Sequence, residues 1–177
     1  MPNFQPAPSD STRASIPAGT YTVDTAQSDV AFRAKAFGLM WVRGHIPVGA
    51  GTIEVTDGRL TGHGLLAADQ ITTGVGPRDW HLRSSHYLHT AKHPTITVAI
   101  DSADLTAEQA DCEVVVRDTT APVRLDLQSV EVVDGGLRIT AATTVDRTVY
   151  PMLPPIAGVS RRVHLEVTVV AHRTDSN

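Results

Sequence analysis

The sequence has a single cysteine, Cys112, so no disulfide can form within the chain. Its apolar neighbours Val114, Val115 and Val116 mark it as a small buried residue rather than a reactive thiol. Aromatic side chains are scarce, at three Phe, three Tyr and two Trp, so few bulky rings point into whatever space the chain encloses. No apolar run reaches the roughly 18 residues of a membrane-spanning helix. Positive charge is not in excess. A net charge of −4 and a pI near 6.0 argue against nucleic acid as the main partner, because phosphate binding needs a basic surface. The first ten residues hold neither a basic start nor an apolar stretch, so no secretory leader is expected and a cytoplasmic location is. There is no nucleophile elbow, phosphate-cradling loop or dinucleotide fingerprint, and no repeat of fixed period.

What the chain does have is β-branched residues: 21 Val and 21 Thr. These suit pleated surfaces, so strands are expected to dominate. Residues 1–18, rich in Pro, Ser and Ala, read as a mobile arm, residues 19–172 as one domain and residues 173–177 as a polar tail. Within the domain a period of two recurs. Val30, Phe32 and Ala34 share one face, Met40, Val42, Gly44 and Ile46 another, followed by a short strand at Ile53 and Val55. Asp57-Gly58 and Asp134-Gly135-Gly136 are hairpin signals. Gly62 and Gly64 weaken the strand that begins at Leu60 and mark a bend or a close backbone approach. Ile96, Val98 and Ile100 alternate next. Residues 105–111 look like a connection. Residues 113–117 and 123–133 follow as strands, and Val163, Leu165, Val167, Val169 and Ala171 form a last one.

One stretch departs from this pattern. Residues 73–94 read as a helix that begins at Gly76-Pro77, with Asp79 in its first turn and Pro94 closing it. A second short helix capped by Ser84 or Ser85 is the alternative. On the single helix, His86, His89 and His93 share one face. Three imidazoles can hold zinc with a position left for water, but a solvated polar face is the preferred reading, and no metal or other cofactor is assigned. His45, His63, His164 and His172 alternate with polar residues and are expected on the surface.

About eight strands with short turns and one helical insertion fit an all-β fold: a closed, eight-stranded antiparallel barrel. Closure removes strand edges. The alternative closure is a two-sheet sandwich. The inward candidates Val30, Ala34, Val42, Gly62, Val98, Ala141 and Val167 are mostly small, and such a lining leaves room inside. Interiors tolerate few voids, so room implies an occupant.

The motifs resemble those of the YceI-like family. Tyr21-Thr22-Val23-Asp24 with Ser28 and Val30-Ala31-Phe32, then Val42-Arg43-Gly44 and Gly51-Thr52-Ile53, follow the family order. The most specific block is Thr73-Gly74, Arg78-Asp79-Trp80-His81-Leu82-Arg83-Ser84, Tyr87-Leu88 and His93-Pro94-Thr95-Ile96. Thr119-Thr120-Ala121-Pro122-Val123 and Val145-Asp146-Arg147 complete the series. Gln27 stands where the family usually has His. Cys112-Glu113 replaces a Gly-Leu pair, and the run 148–152 lacks the family's Gly. The resemblance implies an extended lipocalin-like barrel with a helix inserted midway, and a long apolar isoprenoid chain held inside it.

The reading is therefore a carrier or store for an isoprenoid or similar long-chain amphiphile. Phe32, Met40, Val42, Leu82, Tyr87, Ile96, Val98, Tyr150 and Met152 are expected to line or gate the tunnel, with Arg78 and His81 as polar candidates at its end. For Arg78 and Asp79 a structural role in fixing the helix start is preferred over head-group binding, and for Asp146-Arg147 likewise. The rival is an enzyme that uses the cavity as a reaction chamber, with a His-bound metal or with His81 or Asp79 as acid–base group. A homodimer is one assembly option.

Overall fold

The computed structural model describes residues 16–153 and 158–174. The expected mobile arm lies outside these residues as far as residue 15, and residues 175–177 of the tail do so too. Residues 16–18 are built into the fold. Ile16 is buried with Tyr21, and the Tyr21 hydroxyl donates to the Pro17 carbonyl at 2.7 Å.

Among the described residues nine strands are present: β1 (Gly19–Val23), β2 (Asp29–Ala36), β3 (Met40–Thr56), β4 (Arg59–Ala67), β5 (Thr95–Asp104), β6 (Gln109–Val116), β7 (Thr119–Val133), β8 (Gly136–Asp146) and β9 (Val159–Arg173). The strands pair antiparallel throughout the described residues, and the sheet closes on itself through β3 and β4. The barrel has eight staves, because β1 and β2 share one. Both lie between β3 and β9: β2 pairs with the first half of β3, β1 with its second half.

Local chemistry explains the turns. Asp57-Gly58, Arg117-Asp118 and Asp134-Gly135 all take positive φ, as two-residue turns do when their twist matches that of the flanking strands. The first and third were legible as Asp-Gly; Arg117-Asp118 was not. The strand expected at Ile53 and Val55 is the second half of β3. A register shift between Val48 and Ala50 hides the continuity, because it changes which residues face inward. The connection expected over 105–111 is shorter, since β6 starts at Gln109.

The insertion between β4 and β5 corrects the helix reading. A short 3-10 turn (Ala68–Gln70) leads to α1, which spans only Gly76–Arg83. The Ser84 hydroxyl donates to the His81 carbonyl at 2.6 Å, and Ser prefers such local bonds to a helix interior. The chain then coils back, with the amides of Leu88 and Thr90 bonding to the carbonyls of Leu82 and Arg83, and His89 adopts φ 50°. Thr72 exchanges backbone hydrogen bonds with His45 on the β3 edge that β4 has left. Gly44 permits this approach, because a Cβ there would strike the Phe32 ring and the Thr72 carbonyl.

Buried residues form two clusters. Tyr21, Val55, Leu60, Leu105, Val130 and Leu137 fill one end of the barrel. Val30, Ile46, Ile71, Leu88, Ile96 and Tyr150 gather under the insertion at the other. No helix among the described residues is long and apolar enough to cross a membrane.

Candidate functional site

Between the two clusters lies a cavity of about 530 Å³. Strand alternation builds its wall. Val30 on β2, Val167 on β9 and Ala141 on β8 are register partners and form one inward row; Phe32, Leu165 and Thr143 form the next, and Ala34, Val163 and Val145 a third. On β4 the inward positions include Gly62 and Gly64, which add no side chain and widen the hollow. Many inward residues, Val98, Leu165, Val167 and Val169 among them, are only partly buried, because they face open space. All seven small residues expected to point inward line the cavity.

Of the eleven candidate site residues, ten line the same cavity: Phe32, Val42, Arg78, His81, Leu82, Tyr87, Ile96, Val98, Tyr150 and Met152. Met40 does not. Its alternation phase is inward, but it sits at the barrel rim, where no strand continues above it, and is 59% exposed. Phe37, three residues earlier, lines the cavity instead. Nothing in the sequence pattern pointed to it, because a turn residue with φ 53° falls outside any alternation. Of the β7 and β8 wall only Ala141 was foreseen; Leu125, Leu127, Ile139 and Thr143 were not. Its alternation was visible, but the face that turns inward depends on register.

The polar groups concentrate at the end under the insertion, and most are committed to structure. Asp79 is buried and accepts from the hydroxyls of Thr72 and Thr73 and from the Thr73 amide. Arg78 Nε donates to the Thr73 hydroxyl at 2.8 Å. Arg147 is 5% exposed and donates to the carbonyls of Ser160, Leu153 and Val159, with its guanidinium over the Tyr87 ring. Arg117 Nη1 serves the carbonyls of Ser85, Tyr87 and Pro151. These bonds tie the insertion and the 147–153 segment to the barrel. They agree with the structural reading of Arg78, Asp79 and Arg147.

Burial pushes the Asp79 carboxyl up, but the Thr73 and Thr72 hydrogen bonds and the Arg83 charge outweigh it and hold the pKa below the ordinary carboxylate value. Such a group stabilises the fold above its unfolded pKa of 3.8 and loses that contribution as pH falls through the lower folded value. Asp79→Asn is therefore expected to lower the melting midpoint by several degrees at neutral pH. The gap to wild type should narrow steadily below about pH 4, which thermal melts across that range would measure.

The histidines do not share a helical face, since α1 ends before His86. His81 Nε2 meets His86 Nδ1 at 3.2 Å, and His89 faces His93 at a ring separation of 5.9 Å. Among the described residues no three metal-ligating side chains come together. His45, His164 and His172 lie on the outer face, bonded to Asp29, Thr144 and Asp24. Cys112 lines the cavity. Burial and the Asp111 charge push its thiol up to about 11, so it is a neutral wall group near pH 7.

The family model of the YceI-like domain matches residues 21–171. Among solved structures, the barrel is similar to BcnA of Burkholderia cenocepacia, at a TM-score of 0.71 and 11% identity over 84% of this chain and 98% of that one. It is similar to a polyisoprenoid binding domain from Saccharophagus degradans implicated in plant cell wall breakdown, at 0.69 and 14% over 87% and 98%. The YceI protein of Campylobacter jejuni aligns at 0.52 and 15% over 65% and 73%. At these identities the likeness is one of fold. Among curated proteins none matches the sequence.

Proposed function

The chain belongs to the YceI-like domain family, and from that premise we propose that its barrel holds a long apolar lipid of the isoprenoid class, as carrier or store. The observation that carries this reading is the 530 Å³ cavity walled by rows of small aliphatic residues. A related domain is named for polyisoprenoid binding, which supports the ligand class.

The energetics are consistent. Each buried methylene contributes about 0.8 kcal/mol, so the roughly 30–50 carbons of a long isoprenoid chain supply more than the ~4–15 kcal/mol that association costs, before any head-group contact. Water is a poor occupant, because a buried water needs two to four polar partners and the wall is mostly Val, Ala, Leu and Ile.

The test is organic extraction of protein purified without detergent, followed by mass spectrometry. A long-chain lipid close to one per barrel is expected. Extracts free of apolar material, together with no uptake of an added polyprenol, would overturn the reading.

A further inference from the structure

The insertion end of the barrel carries an exposed apolar turn. The β2–β3 turn presents Phe37 at 74% exposure, Leu39 at 87%, Met40 at 59% and Trp41 at 43%. Large side chains this exposed and this contiguous mark a contact surface. Phe37 also lines the cavity, so the exposed turn is the lip of the hollow.

Cations surround this lip. Arg33 and Lys35 stack on Trp41 at 5.1 and 5.2 Å. Arg43 stands directly opposite Arg33 across the β2–β3 ladder. Like charges in that position destabilise a sheet, and an anionic partner would relieve the repulsion. Arg161 and Arg162 extend the basic surface on β9, which neighbours β2. Of the acids at this end, Asp118 and Asp146 each lie 3.6 Å from a basic side chain, His93 and Arg161, Asp79 is held by Thr72 and Thr73, and Asp69 is exposed on the insertion. At the filled end the balance is reversed: Glu54, Asp57, Asp104, Glu108, Glu131 and Asp134 outnumber Arg59, Arg138 and Arg173. A net charge of −4 thus conceals a dipolar molecule. The 17 residues of β3 run roughly 55 Å at 3.3 Å each, several times the ~8 Å screening length of physiological salt. A surface facing the lip is therefore screened from the acids.

We propose that this end of the barrel docks on an anionic lipid bilayer, with the turn carrying Phe37, Leu39, Met40 and Trp41 entering the interface. Apolar side chains with an interfacial Trp and flanking Lys and Arg are the chemistry such a surface recognises. The acidic end, repelled by the same surface, orients the lip toward the membrane. Docking in this pose joins the cavity to the acyl phase, so an apolar ligand transfers without crossing water; that purpose rests on the lipid-binding reading, whereas the docking rests on the surface alone.

The test uses Trp fluorescence. The chain has two Trp, so Trp80→Phe leaves Trp41 as the sole reporter. With vesicles of phosphatidylcholine and phosphatidylglycerol, Trp41 emission is expected to shift to the blue and be quenched by brominated acyl chains. The response should fade in high salt and with phosphatidylcholine alone. In that background, Leu39→Ser with Met40→Ser, and separately Arg43→Glu with Arg162→Glu, should each weaken partitioning at least tenfold, with melting curves confirming an intact fold. Emission indifferent to vesicles, or an equal response to neutral ones, would overturn the proposal. So would a dimer in sedimentation velocity that Leu39→Ser and Met40→Ser dissolve, with no vesicle response, since the patch would then belong to a second copy. Extraction of the same preparations separates the two readings. Protein that docks but never holds lipid sinks the cavity assignment, and protein that holds lipid but does not dock sinks this one.

Discussion

Replacing Val167 by Trp is expected to cut the lipid recovered with the purified protein at least tenfold while leaving the barrel folded. Val167 sits at the centre of the inward row that joins Val30 to Ala141, and it faces the cavity partly exposed. An indole there projects into space that the native wall leaves open, so it competes with the ligand for the same volume. Overpacking of a dense core usually costs about 1–3 kcal/mol. Here the added ring meets a cavity, so the loss of fold stability should be small. Two measurements check it together. Extraction with mass spectrometry reads occupancy. Thermal melts of delipidated protein read stability, and the variant should melt close to delipidated wild type. A variant that keeps its full lipid content would show that the ligand lies elsewhere.

Replacing Arg147 by Ala is expected to have the largest effect on stability. Its guanidinium is buried and serves three carbonyls, on Leu153, Val159 and Ser160. Those carbonyls would be left without this donor in a site shielded from water, and hydrogen bonds to a charged group contribute about 1.5–3 kcal/mol each. A loss of about 3–5 kcal/mol follows, which lowers the melting midpoint by roughly 10 °C or more. Arg147→Lys should recover little, because a single ammonium cannot match a planar fork aimed at three acceptors. Denaturant melts of the three proteins measure this. A loss below about 1 kcal/mol in the Ala variant would refute the structural role.

The wall of the barrel was legible because alternation is a local signal. Val30, Phe32 and Ala34 declare their shared face within five residues, and so do Val163, Leu165 and Val167. The insertion was harder. Helical spacing over 73–94 fits the residues, but the Ser84 hydroxyl bonds to the His81 carbonyl and ends α1 there. Helix spacing reports which side chains could share a face and says nothing of local bonds that stop the helix. The rim was misread for a different reason. Met40 has the right phase and the wrong height, and only the strand register shows where the wall stops. The sharing of one stave by β1 and β2 has no sequence signature, because it depends on both pairing with the same two distant strands.

That shared stave has a consequence for how the molecule forms. Tyr21 pairs with Arg173, so the final seam joins residues separated by most of the polypeptide. β9 must find β1, β2 and β8, which makes high contact order unavoidable and places the chain among slow folders. During synthesis the carboxy-terminal strand emerges last, and until it arrives the future lumen is an open apolar trough with two unpaired borders. Such intermediates are prone to aggregate, and the vulnerable interval ends only when the two extremities of the domain zip together.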